Sequence, residues 1–166
     1  GTPGVAHIGH FMGELIQLMG NVRMEHIPFR GGADVARELA AQRIDVGIIS
    51  FSSLRPAVAR GARLIGSTAA QRHPTMPDIP AIAETLPGYE IMAWTGFFVP
   101  SATPAAPRAR FQAALRETLD DATVRQRMVE IGNDPAFADG EQMAARVRRD
   151  RETLRRIARD ANISLG

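Results

Sequence analysis

The chain has 166 residues (18.0 kDa), with 20 basic against 18 acidic side chains and 45% hydrophobic against 23% charged residues, which fits a folded globular protein and excludes wholesale disorder. The absence of cysteine excludes disulfides, thiolate metal centres and a cysteine nucleophile, and no run approaches the ~20 apolar residues of a membrane-spanning helix. The sequence pI near 10.3 overstates the basicity: there is no lysine, the formal net charge is +2, and basic residues interleaved with acids, without aromatics between them, argue against a nucleic-acid surface.

The opening, GTPGVAHIGHFMGEL, is a glycine-punctuated loop that passes into a helical pattern. Phe11, Leu15 and Leu18 fall on one face over residues 9–19. NVRMEHIPF alternates and ends at a proline, as a short strand does. RGGADVARELAAQR supplies a Gly-Gly break and an Ala-rich helix, and IDVGIIS is a compact apolar run of buried-strand character. SSLRPAVARG places serine and proline near a helix start and Gly61 at its end, followed by ARLIGSTA as the next strand. Strands separated by helices of about ten residues are the pattern of a mostly parallel α/β sheet.

RHPTMPDIPAIAETLPG carries four prolines and is expected to be a surface loop over most of its length. YEIMAWTGFFVP resumes as a long extended segment, with Trp94 expected in a packing role. After SATPAAP the chain reads as three amphipathic helices, from Pro107 to about Leu119, from Asp121 to Ile131, and from Gly140 to Ala161. No further strand follows to supply their apolar partner surface, so their sheet is expected elsewhere.

The residues that could carry chemistry are few. His7 and His10 have HxxH spacing with Glu14 four residues on, but no metal-site framework surrounds them, and a loop side chain at His7 with a structural hydrogen bond at His10 is the expectation. His26 reads as a satisfied sheet residue and His73 as a loop residue. IISFSSL lacks the G-x-S-x-G elbow of a hydrolase, and without lysine there is no P-loop. Neither an enzyme nor a cofactor site is expected. Ser50 and Ser52 follow the strand IDVGII at the carboxyl edge of the expected sheet, where open α/β sheets bind ligands.

Taken together, TPGVAHIGHFMGEL, HIPFRGGADVARELAAQRIDV and RHPTMPDIPAIAETLPGYEIMAWTGFFVPSATP resemble the substrate-binding proteins of tripartite tricarboxylate transporters, the Bug receptors. The resemblance runs through essentially the whole chain and implies a type II periplasmic binding protein of α/β class, two-lobed and closing on a small organic carboxylate. It also implies that residue 1 lies inside the family's second lobe. Residues 1–93 would form the parallel-sheet, ligand-binding lobe, and residues 94–166 the crossing strand and C-terminal helices of an incomplete first lobe. The implied compartment is the periplasm, with any signal peptide outside this sequence, and the implied partners are the ligand and the membrane subunits of the transporter.

A glycine-containing loop entering a helix offers unpaired amides and the positive end of the helix dipole to an anion. The family's loop is similar to Gly-x-Gly-Ser-x-x-His, matched here at Gly4, Ala6, His7 and His10, with Ala6 in place of the second glycine and His7 in place of the serine. A second family loop, Val-Pro-Tyr-Lys-Gly, is matched by Ile27, Pro28, Phe29, Arg30 and Gly31. Phe29 walls the cleft in this reading, and Arg30 is either a carboxylate's counter-ion or a solvent-facing side chain beside Gly31 and Gly32. The expected ligand-binding set is therefore Gly4, Ala6, His7, Ile8, Phe29, Arg30, Ser50 and Ser52. Two other readings stand beside it: a module that self-associates through its C-terminal helices, and a receptor that signals to a sensor kinase.

Overall fold

A computed structural model describes residues 1–164; the last two residues of the expected 94–166 segment lie outside the described residues. Seven helices are found among them: α1 (Ile8–Gly20), α2 (Gly32–Ala40), α3 (Phe51–Val58), α4 (Ile82–Thr85), α5 (Ala105–Asp120), α6 (Ala122–Glu130) and α7 (Gly140–Asp160). The chain divides into two compact units. One comprises Gly1–Ala93 and the chain from Asp150 onward, the other Trp94–Arg149.

In the first unit α1 buries Phe11, Met12 and Leu15, while Leu18, expected on the same face, is 47% exposed. The core around them is completed by Tyr89, Ile91, Ile157 and Ala158. Ile157 is 1% exposed, and burying such a side chain is worth about 1.5–3 kcal/mol, so the last turns of α7 are anchored in this unit. The Tyr89 hydroxyl donates to the Met12 carbonyl at 3.3 Å, which joins the chain near residue 90 to α1. A second core lies between α2 and α3, around Ala36, Leu54 and Ala57.

Helix ends follow the sequence closely. Asn21, with φ 48°, stops α1 in the left-handed conformation, and the Asp121 carboxylate caps α6 by accepting from the Val124 amide at 2.9 Å. The proline-rich stretch is a loop with one helical turn, α4, inside it. Glu84 explains that turn, since its carboxylate accepts from the Ala81 amide at 2.8 Å. Arg72 grips the same carboxylate through two nitrogens at 2.9 and 2.8 Å and donates to the Pro77 carbonyl, tying the two ends of the loop. Arg72 first, and the Ala81 amide second, hold the Glu84 carboxyl below its usual range.

Of the expected sheet only isolated pairing is seen among the described residues. NVRMEHIPF, IDVGIIS, ARLIGSTA and YEIMAWTGFFVP are non-helical, but no paired strand forms among the described residues. Parallel pairing is confined to two isolated bridges, Thr2 with Pro28 and Ser67 with Ala81. Alternation shows that a segment suits a pleated surface, whereas a strand exists only through consecutive bonds to a neighbour. Gly1 and Thr2 come closest to supplying one. Thr2 donates to the Ile27 carbonyl at 3.2 Å and accepts from the Phe29 amide at 2.9 Å. Gly1 accepts from the Ile48 amide at 3.0 Å, and its α-amino group donates to the Val46 carbonyl at 2.6 Å.

The second unit is organised differently. Its helices α5 and α6 bury no residue, and Phe111 and Ile131, expected on their apolar faces, are 46% and 50% exposed. Aromatic contacts take the place of a core: Phe97 meets Phe111 edge-on at 5.6 Å, and the Arg116 guanidinium lies 4.0 Å over the Phe137 ring.

Candidate functional site

Three helix starts gather at one end of the first unit. Gly1 and Thr2 lie between the segments that lead into α2 and α3, as the bonds to Ile27, Phe29, Val46 and Ile48 show. From there Pro3–His7 turns into α1, which packs so closely that a Cβ on Gly9 would stand 2.8 Å from the Ile48 carbonyl. The starts of α2 and α3 are equally tight, since a Cβ on Gly32 would meet the Ser53 hydroxyl at 2.7 Å.

Within the Gly4–Ile8 loop the two departures from the family motif have definite structural roles. Ala6 adopts φ 55° and Gly4 φ 142°, so Ala6 occupies left-handed backbone that favours glycine. His7 is the N-cap of α1, and its Nδ1 accepts from the Gly9 amide at 3.1 Å, the bond a serine hydroxyl makes in that position. Most donors of this loop are engaged by the protein itself. The Ala6 amide goes to His10 Nδ1 at 3.2 Å, that of His7 to the Gly4 carbonyl at 3.4 Å, and that of His10 to the His7 carbonyl at 2.8 Å. In the first turn of α1 only the Ile8 amide has no partner among the described residues.

The other two helix starts are more open. Asp34 and Val35 amides return to the Gly31 carbonyl and that of Leu54 to Ser50, which leaves the amides of Gly32, Ala33, Phe51, Ser52 and Ser53 without partners among the described residues. Gly31, the N-cap of α2, has no side chain, and Ser50 does not cap α3 with its own. The Ser50 hydroxyl lies 3.1 Å from that of Ser52 and donates to Ser53 at 3.0 Å, so three hydroxyls stand where the α3 amides emerge. Arg30 is exposed and makes no ion pair among the described residues, while Phe29 is half-buried with its ring edge against Gly1. The only carboxylate in the first turn of α2, Asp34, is engaged by Arg37 at 2.9 Å.

Sequence reasoning thus named residues from all three starts but gave the leading part to α1. It passed over Ser53 and Gly32; the Gly-Gly pair before an uncapped helix was the available signal. No group of three His, Asp or Glu placed to hold a metal occurs among the described residues, and no described helix is long and apolar enough to cross a membrane.

The fold has counterparts among solved structures, and they define the class: the chain has the fold of the solute-binding proteins. It superposes with a TM-score of 0.88 on Rhodopseudomonas palustris Rpa4515, solved with adipate, at 27% identity over 98% of this chain and 56% of that one. MatC from the same organism, with bound malate, gives a TM-score of 0.70 at 26% identity over 89% of this chain and 51% of that one. A solute-binding protein from Polaromonas, without ligand, gives 0.74 at 21% identity, covering 96% and 56%. Within that class, the profile of the tripartite tricarboxylate transporter family receptors matches residues 1–163, and the chain belongs to that family. Family members are solute receptors, not enzymes. Among curated relatives, a UPF0065 protein of Pseudomonas sp. strain P51 is 33% identical over 81% of this chain and 41% of its own length, and one from Bordetella bronchiseptica is 24% identical over 98% and 49%. The chain spans about half the length of these relatives.

Proposed function

We propose that the protein binds a small organic dicarboxylate in the periplasm and presents it to a tripartite tricarboxylate-type membrane transporter. The observation that carries this reading is the gathering of three helix starts with open amides in a chain that superposes on an adipate-bound receptor. Adipate and the malate of MatC are both dicarboxylates, and neutral amides at helix N-termini hold a carboxylate without a buried cation. In this reading one carboxylate sits against Gly32, Ala33 and the Ser50–Ser53 turn. Gly4, Ala6, His7 and Ile8 border it through the α1 loop, with Phe29 as a wall and Arg30 as the external countercharge. The first unit is the ligand lobe, Trp94 onward leads to the other lobe, and closure of the lobes is driven by the ligand's extra contacts in the closed form. In this reading the non-helical segments ending at Pro28, Ile49 and Ser67 belong to that lobe, with Gly1–Thr2 bonded between the first two.

Titration calorimetry of the full chain with adipate, malate, adipamide and neutral amino acids tests the reading. Saturable heat with a dicarboxylate and none with the diamide is expected, and Arg30→Ala is expected to weaken binding several-fold. A folded protein that takes up no carboxylate from the panel would remove the receptor reading.

A second reading has one observation of its own. Phe97 and Phe98 are each 68% exposed, in the unit whose helices α5 and α6 bury no residue, which suits self-association. Light scattering across a concentration series separates the two readings, because association without carboxylate uptake favours the second.

A further inference from the structure

The imidazoles of His10 and His26 stack face to face, with ring centroids 3.6 Å apart and planes 10° from parallel. Each ring also holds one end of the loop before α1. His10 Nδ1 accepts from the Ala6 amide at 3.2 Å, and His26 Nε2 lies 2.6 Å from the Thr2 hydroxyl, which itself donates to the Gly4 carbonyl at 3.2 Å. Because that hydroxyl spends its proton on Gly4, it accepts from His26, which fixes a proton on Nε2. His10 has the complementary need. Its Nδ1 must be bare to accept from Ala6, and its Nε2 faces the Glu14 carboxylate at 3.5 Å. Glu14 in turn accepts from Gln17 Nε2 at 2.8 Å, and Gln17 Oε1 accepts from the Met24 amide at 2.6 Å, which fastens α1 to the segment that carries His26.

We propose that the stacked His10–His26 pair is a pH-sensitive latch on the Thr2–His7 loop, closed while both rings are neutral and opened when a proton reaches His10 Nδ1. That proton turns the acceptor of the Ala6 amide into a donor, and the bond is lost. Ala6, in left-handed backbone, is then held only by the long bond from the His7 amide to the Gly4 carbonyl across it, and the loop relaxes. Glu14 places its carboxylate beside His10 Nε2, on the side of the pair away from Thr2 and Ala6. The stacked geometry opposes a charge on both rings at once, since like charges at this separation repel strongly. His26 is held below the ordinary imidazole value by burial first, then by His10 and by the Gly1 α-amino group. The charged or titratable groups facing the pair are Glu14 on α1 and that α-amino group. His7, on the same loop, is turned to Gly9 instead.

The latch stands whether or not the loop binds a carboxylate, so its test needs no ligand. In the full chain, hydrogen exchange of the Ala6 amide, corrected for its intrinsic pH dependence, is followed from pH 7.5 to pH 5 together with the His10 ring by nitrogen NMR. Protection at Ala6 is expected to fall about tenfold, in step with the arrival of the proton on His10 Nδ1. The variant His10→Asn, whose side-chain oxygen can accept at every pH, is expected to remove the pH dependence. His26→Phe keeps a stacked ring that never takes a proton and is expected to retain the pH dependence at Ala6. Unchanged protection at Ala6 across this range, a midpoint that does not follow His10, or a protonated Nδ1 at pH 7.5 would each overturn the proposal. The last of these is read from the unmodified protein, and so holds even if neither variant folds.

Discussion

Ala6 and Tyr89 show how single residues record the demands of the fold. Ala6 is held at φ 55°, where a Cβ costs about 1–2 kcal/mol. Part of that gain is cancelled by the greater freedom of glycine in the unfolded chain. Ala6→Gly is therefore expected to raise stability by about 0.5–1 kcal/mol in urea denaturation, without changing the slope of the transition. Tyr89 is 2% exposed, and burial pushes its phenol well above the ordinary tyrosine value. A raised folded-state value means that stability is intact below the unfolded value, about pH 10, and is lost as pH rises further. Since this is the sole tyrosine of the chain, tyrosinate absorbance is expected to appear together with alkaline unfolding and not before it. Titration of tyrosinate while helical circular dichroism persists would contradict that.

Among the elements, α1 carries two glycines that the sequence alone cannot rank. Gly9 and Gly13 are both buried, but a Cβ on Gly9 would meet a backbone carbonyl at 2.8 Å, whereas on Gly13 it would meet the end of the Ile48 side chain at 3.2 Å. Backbone cannot yield as a side-chain tip can, and overpacking costs about 1–3 kcal/mol. Replacement of Gly13 by alanine also gains helix propensity, up to about 1 kcal/mol. Gly9→Ala is expected to be the more destabilising by about 2 kcal/mol, measured as the difference in urea midpoints. The helices were legible because their signals are local: apolar spacing over residues 9–19, Asp121 ahead of α6, and Gly140 at the start of α7. The strands were not, because IDVGIIS and ARLIGSTA carry the composition of strands while pairing depends on a neighbour far along the chain. The site was legible in part for the same reason. The glycine-rich entrances to α1 and α2 stand out in one dimension, but the approach of Ser53 to Gly32, and the use of Ala6, His7 and His10 donors inside the protein, exist only in three.

For the molecule as a whole, the two units differ in what holds them. The first has two buried clusters, while α5 and α6 of the second bury no side chain completely. Amides that rely on few buried contacts open at lower free energy than the global transition. In native-state hydrogen exchange the amides of α5 and α6 are therefore expected to exchange at least tenfold faster than those in the middle of α1. Equal protection of all three helices would mean that contacts beyond those of α5 and α6 themselves hold them closed.

One feature of the aromatic inventory makes such differences observable. The only tyrosine lies in the core of the first unit and the only tryptophan, Trp94, begins the second. Each unit thus carries its own chromophore. Emission excited at the red edge of the indole band reports on the second unit by itself, and ultraviolet resonance Raman of the phenol reports on the first, so an experimenter can watch either piece lose its order without introducing a label.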